Sequence, residues 1–323
     1  MRKLTIIAAT LALLGDSAVA QSDYPTRAVT VIVPFAAGGP TDTVARLVVE
    51  SMTRTLGQQV LVENATGAGG TLGARRVATA DPDGYTLLLH HIGQATSASL
   101  YRKLPYDPAT AFASIGLITD VPMTVVSKSD LEPSSIGELI TYIKTNKDQV
   151  TLAHAGVGAV SHLCGVLLQD ALATKMTTVP YKGTGPAMTD LLGGQVDLLC
   201  DQTTNTTGPI KTGKVKAYAV TTSERVATLP DLPTLDEAGL KGFEVTAWHA
   251  LYAPKGTPKE VVDELAGAVQ VALKDPKVVE RFADLGTTPV PQEQATPAAL
   301  EQHLQAEIVK WKSVLQKTGE YAD

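Results

Sequence analysis

Residues 28–42, AVTVIVPFAAGGPTD, decide how the chain reads. Val29 to Val33 is an apolar run of strand length, and Pro34 breaks it. Phe35, Ala36, Ala37, Gly38 and Gly39 make a turn of mostly small residues. After Thr41 and Asp42 a helical stripe follows in Val44, Leu47, Val48 and Met52. Glycine opens backbone conformations that other residues resist. A helix start offers unpaired N–H groups at the positive end of a dipole. Strand, turn and helix start together make an anion cradle. The same residues also suit an ordinary strand-to-helix connection with Thr41 or Asp42 as N-cap.

Working outward, the pattern repeats. A strand at 59–63 leads to the turn Thr66-Gly67-Ala68-Gly69-Gly70 and a helix through Leu72 and Val77. A strand at 85–89 ends at His90-His91, placing 35–41, 66–71 and 91–97 on one rim. Residues 115–127 read as extended, with Pro122 inside. The pattern restarts with a Ser135/Glu138 capping box, strands at 150–153, 177–180, 196–200 and 215–220, and helices from about Ser161 and Pro186. Residues 243–252 are extended again. Thr257-Pro258 with Glu260, and Thr296-Pro297, open two last helices that need a sheet to cover. Such alternation predicts parallel α/β sheets. The chain reads as two Rossmann-like lobes with a ligand cleft between them and two interdomain crossings: lobe 1 from 21–122 plus 247–323, lobe 2 from 123–246.

Composition and address narrow the function. The 323 residues are 44% hydrophobic and 19% charged, with a net charge of −6 and no basic block, which excludes a nucleic-acid binder. Arg2 and Lys3, the apolar run 4–14 and Ala18-Val19-Ala20 read as a signal peptide over 1–20. No later stretch is apolar enough to enter a membrane, so the product reads as an exported, soluble monomer. Cys164 and Cys200 are the only cysteines; the spacing leaves a bridge and two buried thiols equally open.

Enzyme chemistry finds little footing. GVGAVS at 156–161 resembles a dinucleotide fingerprint, but the next strand carries no acid. What remains is a second helix start with Gly158 and the Ser161 hydroxyl. Ser161-His162 invites a hydrolase reading without a nucleophile elbow, and neighbours on a helix do not face each other. His90-His91 is no metal pair, because adjacent strand residues point to opposite faces. No cofactor or metal is expected. His91, His162 and His249 lie on rims of the cleft and can donate to a carboxylate. The run Gln202-Thr203-Thr204-Asn205-Thr206-Thr207 either lines the same cleft or is a solvated loop.

An ordered set of short motifs then carries a family resemblance: Tyr24-Pro25, VPFAAGG at 33–39 with Asp42 and Arg46, VEN at 62–64 with GAGG at 67–70, DGYTL at 83–87, PYKG at 180–183, DLLGGQVD at 190–197 and APKGTP at 253–258. The chain resembles, nearly end to end, the periplasmic solute-binding proteins of tripartite tricarboxylate transporters, the Bug family. The resemblance implies a periplasmic-binding-protein (type II-like) architecture, closure of two lobes on a small carboxylate, and delivery to the transporter's membrane subunits. It implies carboxylate binding by residues 35–41 and 158–162 through backbone N–H groups. Within the family it points to terephthalate as ligand, with His91, Asn205 and His249 as donors around the ring. The expected ligand residues are Phe35, Ala36, Ala37, Gly38, Gly39, Thr41, His91, Gly158, Ser161, His162, Thr203, Asn205 and His249. A sensor that shows its closed form to a receptor is the alternative reading.

Overall fold

The computed structural model describes residues 23–319 and 321–322; the expected signal peptide lies outside the described residues. The quoted stretch forms β1 (Val29–Val33) and α1 (Pro40–Leu56). Alternation along β1 sets its packing: Val29, Val31 and Val33 join Val44, Val48 and Met52, while Ile32 packs on the opposite face with Ala74 and Leu88. The N-cap of α1 is Gly39, with Pro40 in the first turn. Neither Thr41 nor Asp42 caps it, because the fixed φ and missing N–H of proline suit the first helical position. Asp42 serves the helix start from inside, its Oδ2 accepting the Gly38 N–H at 2.9 Å.

The remaining elements are β2 (Val60–Asn64), a 3-10 turn (Ala68–Gly70), α2 (Thr71–Ala78), β3 (Thr86–His91), α3 (Gly93–Leu100), β4 (Phe112–Lys128), α4 (Ile136–Thr145), β5 (Thr151–His154), α5 (Val160–Ala171), β6 (Thr177–Pro180), α6 (Thr184–Leu192), β7 (Leu198–Gln202), α7 (Thr203–Lys211), β8 (Val215–Val220), β9 (Thr246–Pro254), α8 (Lys259–Ala272), α9 (Pro276–Asp284) and α10 (Pro297–Thr318). The strands form one curled sheet in the order β2-β1-β3-β9-β4-β7-β5-β6, with β8 also on β4. β1 pairs in parallel with β2 and β3, and β5 with β6 and β7. Between these two parallel groups, β4 and β9 run side by side and antiparallel. β4 belongs to both halves: residues 112–122 pair with β9, and 123–128 with β7 and β8. This is the α/β architecture expected. The C-terminal helices return to the first group, α8 against α1 and β4, α10 against α3 and β4.

Three local readings are resolved. The polar run 202–207, open between a cleft wall and a solvated loop, is the end of β7 and the start of helix α7; Gln202, Thr203, Thr206 and Thr207 are buried. Residues 91–97, read as rim, end β3 and begin helix α3. The Thr257/Glu260 capping box does not form: Pro258 is the N-cap of α8, and the Thr257 hydroxyl donates to the Pro254 carbonyl instead. Thr296 caps α10 as expected, accepting the Ala299 N–H. Cys164 of α5 and Cys200 of β7 are joined in a disulfide, with Cα atoms 6.2 Å apart.

Candidate functional site

β1 and β3 run toward the middle of β4 from one group and β5 and β7 from the other, so their C-terminal ends meet there, His91 in register with His249 and Thr119, Gln202 with Met123, and a helix begins soon after each. Where the two groups meet lies a cavity lined by Phe35, Gly39, Pro40, Thr41, His91, Ala155, Ala159, Val160, Ser161, Thr184 and Gln202. It gives the centre of a water-sized sphere only about 10 Å³, roughly one water molecule's worth. Above it a wider mouth of about 870 Å³ is lined by residues 67–70, Tyr101, 155–157 and 180–182. No Asp, Glu, Lys or Arg side chain lines the inner cavity. Instead four helices begin there: α1 at Pro40 and Thr41, α5 at Val160 and Ser161, α6 at Thr184, and α7 directly after Gln202. The first N–H groups of a helix have no partner within it, and four dipole ends add positive potential at one point.

Each turn is pinned from behind. Asp42, 3% exposed, takes N–H bonds from Gly38 and Arg46 on Oδ2 and from the Asn64 amide on Oδ1. Burial works to raise its pKa, but the bonds from Arg46, Gly38 and Asn64 outweigh burial and hold the carboxyl below its usual range. The Asn64 amide also donates to the Phe35 carbonyl. In the second turn the Ser161 Oγ accepts the Ala155 N–H at 2.9 Å, and the Gly158 carbonyl accepts from the Thr96 hydroxyl.

The histidines are fixed by the same means. His91 Nδ1 accepts the Gly93 N–H at 2.9 Å, and its ring stacks on Phe35 at 4.6 Å. With Nδ1 accepting, the neutral ring carries its proton on Nε2, a donor on the cavity wall. His249 Nδ1 lies 2.8 Å from the Ala247 carbonyl and so carries the proton; its Nε2 accepts from the Thr41 hydroxyl at 3.2 Å. Burial pushes His249 down to about 4 and His90 to about 3. It also holds His91 well below the ordinary value, with His90 and His249 adding to the effect. All three rings are therefore neutral near pH 7.

Of the residues named from sequence, Phe35, Gly39, Thr41, His91 and Ser161 line the cavity. The others sit around it, most with a polar group engaged by a neighbour. Ala36 N–H donates to the Lys182 carbonyl of the other group, and Ala37 lies beside Gly185 in the same contact. Gly38 N–H goes to Asp42, and Gly158 N–H to His162 Nδ1. Thr203 donates to the Gly286 carbonyl, behind the cavity. The Asn205 amide donates to Asp201 and to the Thr184 carbonyl. His249 acts one bond back, through Thr41. A hydrolase would need Ser161 against a histidine ring, yet its Oγ bonds to Ala155 N–H and His162 Nδ1 to Gly158 N–H. Pro40, Ala155, Ala159, Val160, Thr184 and Gln202 were not singled out as ligand residues. For Gln202 the signal was its place at the head of the polar run 202–207, at a strand end, where a cleft wall was one of the two readings.

A family model for the tripartite tricarboxylate transporter family receptor matches residues 44–320, and the chain belongs to that family. It is 60% identical over 310 residues to an Agrobacterium vitis protein described as a UPF0065 protein in the TAR-I ttuE-ttuC' intergenic region, covering 96% of this chain and 90% of that protein. Among solved structures, the periplasmic binding protein BugD superposes with a TM-score of 0.91 at 55% identity, over 93% of this chain and 100% of that one. MatC from Rhodopseudomonas palustris, with bound malate, superposes with a TM-score of 0.88 at 45% identity, over 90% of this chain and 100% of that one.

Proposed function

We propose that this chain is an exported receptor that closes two lobes, 21–122 with 247–323 and 123–246, on a small carboxylate and delivers it to the membrane subunits of a tripartite transporter. The observation that carries the reading is the convergence of four helix starts on one cavity with no charged side chain in its wall. Such a site attracts an anion through N–H groups and dipoles. It needs no formal positive charge. The His91 Nε2–H and the Ser161 O–H add side-chain donors, since Nδ1 and one Oγ lone pair are already occupied. In this reading the α1 and α6 turns part to admit the acid and close again over it. Malate bound to MatC supports the ligand class.

Terephthalate, to which the sequence resemblance pointed, enters the test beside malate. Purified mature protein is melted alone and with malate, succinate and terephthalate. A ligand that binds only the folded state raises the melting temperature. At least one acid is expected to do so; no shift with any of them, confirmed by calorimetric titration, refutes the carboxylate reading. Retention of the transporter's membrane subunits by the liganded protein tests delivery.

A further inference from the structure

Gln202 is 2% exposed and closes β7 on the face that looks toward the start of α5. It lines the cavity together with Ser161, Thr184 and His91. Its Oε1 has no hydrogen-bond partner among the described residues. A buried amide oxygen without a donor is unusual enough to call for an explanation. The rest of the wall offers donors: the His91 Nε2–H, the Ser161 O–H and the helix-start N–H groups. A carboxylate satisfies those and leaves Gln202 Oε1 unmet.

We propose that Gln202 selects the ligand, its amide oxygen accepting a hydrogen bond from a hydroxyl carried next to the bound carboxylate. A hydroxy acid then satisfies the donor and acceptor walls together. An acid bearing only carboxylates leaves the amide oxygen unpaired. A hydroxyl fits better than an ammonium group, because no carboxylate lines the cavity and a buried cation would lack an anionic partner from the protein. The inference rests on the carboxylate reading above and narrows it to one class of acid.

Malate and succinate differ by one hydroxyl and make the test. Titration calorimetry of the mature protein compares succinate, each malate enantiomer and aspartate, for the wild type and for Gln202→Met. Met keeps the length and shape of the side chain and removes the amide. One malate enantiomer is expected to bind the wild type at least about tenfold tighter than succinate, and Gln202→Met to erase most of that gap while leaving succinate nearly unchanged. Equal affinity of the wild type for malate and succinate overturns the proposal, and needs no variant to fold. Gln202→Met weakening both acids alike also overturns it, by making Gln202 merely structural. Aspartate binding more tightly than malate overturns the hydroxyl assignment. If succinate binds as well as malate, only this inference fails; if no acid binds, the receptor reading itself has failed.

Discussion

A methyl group added at Gly69 would sit 1.8 Å from the Val157 carbonyl oxygen and 2.8 Å from the Tyr101 hydroxyl. Val157 lies in the turn after β5, across the mouth from Gly69. Both sides of this contact are backbone, so neither can swing away as a side chain would. Gly69→Ala should therefore exclude the closed arrangement while leaving an opened one free. Overpacking of this kind costs about 1–3 kcal/mol, and because it falls on the closed form alone, binding should weaken roughly 5- to 150-fold. Gly69 also has φ +61, so alanine adds a left-handed backbone penalty of about 1–2 kcal/mol to both forms. Gly57→Ala separates the two effects: its φ is +67, yet nothing lies within 4 Å of the added Cβ. Both variants should melt lower than the wild type by similar amounts, but only Gly69→Ala should lose affinity in calorimetric titration with the best-binding acid. Wild-type affinity in Gly69→Ala would show that binding does not bring these turns together, and the closure argument would fail.

Two further outcomes are expected. The Cys164–Cys200 bridge spans 36 residues, for which the chain-entropy relation gives about 4 kcal/mol; the double Ser variant should lose about that much in urea unfolding, and an unchanged midpoint would refute the bridge's contribution. Burial pushes Asp201 up to about 6, so the folded state holds this proton more tightly than the unfolded chain, and the group's contribution is lost as pH rises from about 4 to 6. Asp201→Asn should therefore gain on the wild type in melting temperature between pH 4.5 and 7.5, and a pH-independent difference would refute the assignment.

Much of the architecture was legible because the strands obey simple alternation and the helix starts carry their own marks. Val29, Val31 and Val33 against Ile32 sort onto two faces by period, and Ser135 and Thr296 cap the helices they precede. Helix α7 was not legible. Threonine is a weak helix former, and Pro209 sits inside. The helix forms because its hydroxyls find tertiary partners: Thr203 on Gly286, Thr206 with Thr124, Thr207 on Leu285. Those partners lie 78 or more positions away along the chain, beyond any local pattern. The same limit applies to the site. Glycine turns announce that backbone comes close to something, as Gly38 and Gly158 did. They do not tell whether an N–H faces the cavity or a neighbouring carboxylate or imidazole, since that depends on Asp42 and His162 folding back on their own turns.

The antiparallel pair β4 and β9 has a mechanical consequence for the proposed closure. Separate linkers would leave the jaws free to slide and twist past each other. A hydrogen-bonded ribbon resists shear in its own plane and flexes mainly out of it, and its ladder is interrupted near Ser114–Gly116 and Leu117–Thr119. Swinging is thereby confined to nearly one degree of freedom. Such a guided stroke returns the Gly185 backbone to the same tight fit against Gly39 on every cycle. Precision at the gripping end is thus built into the stiffness of the pivot.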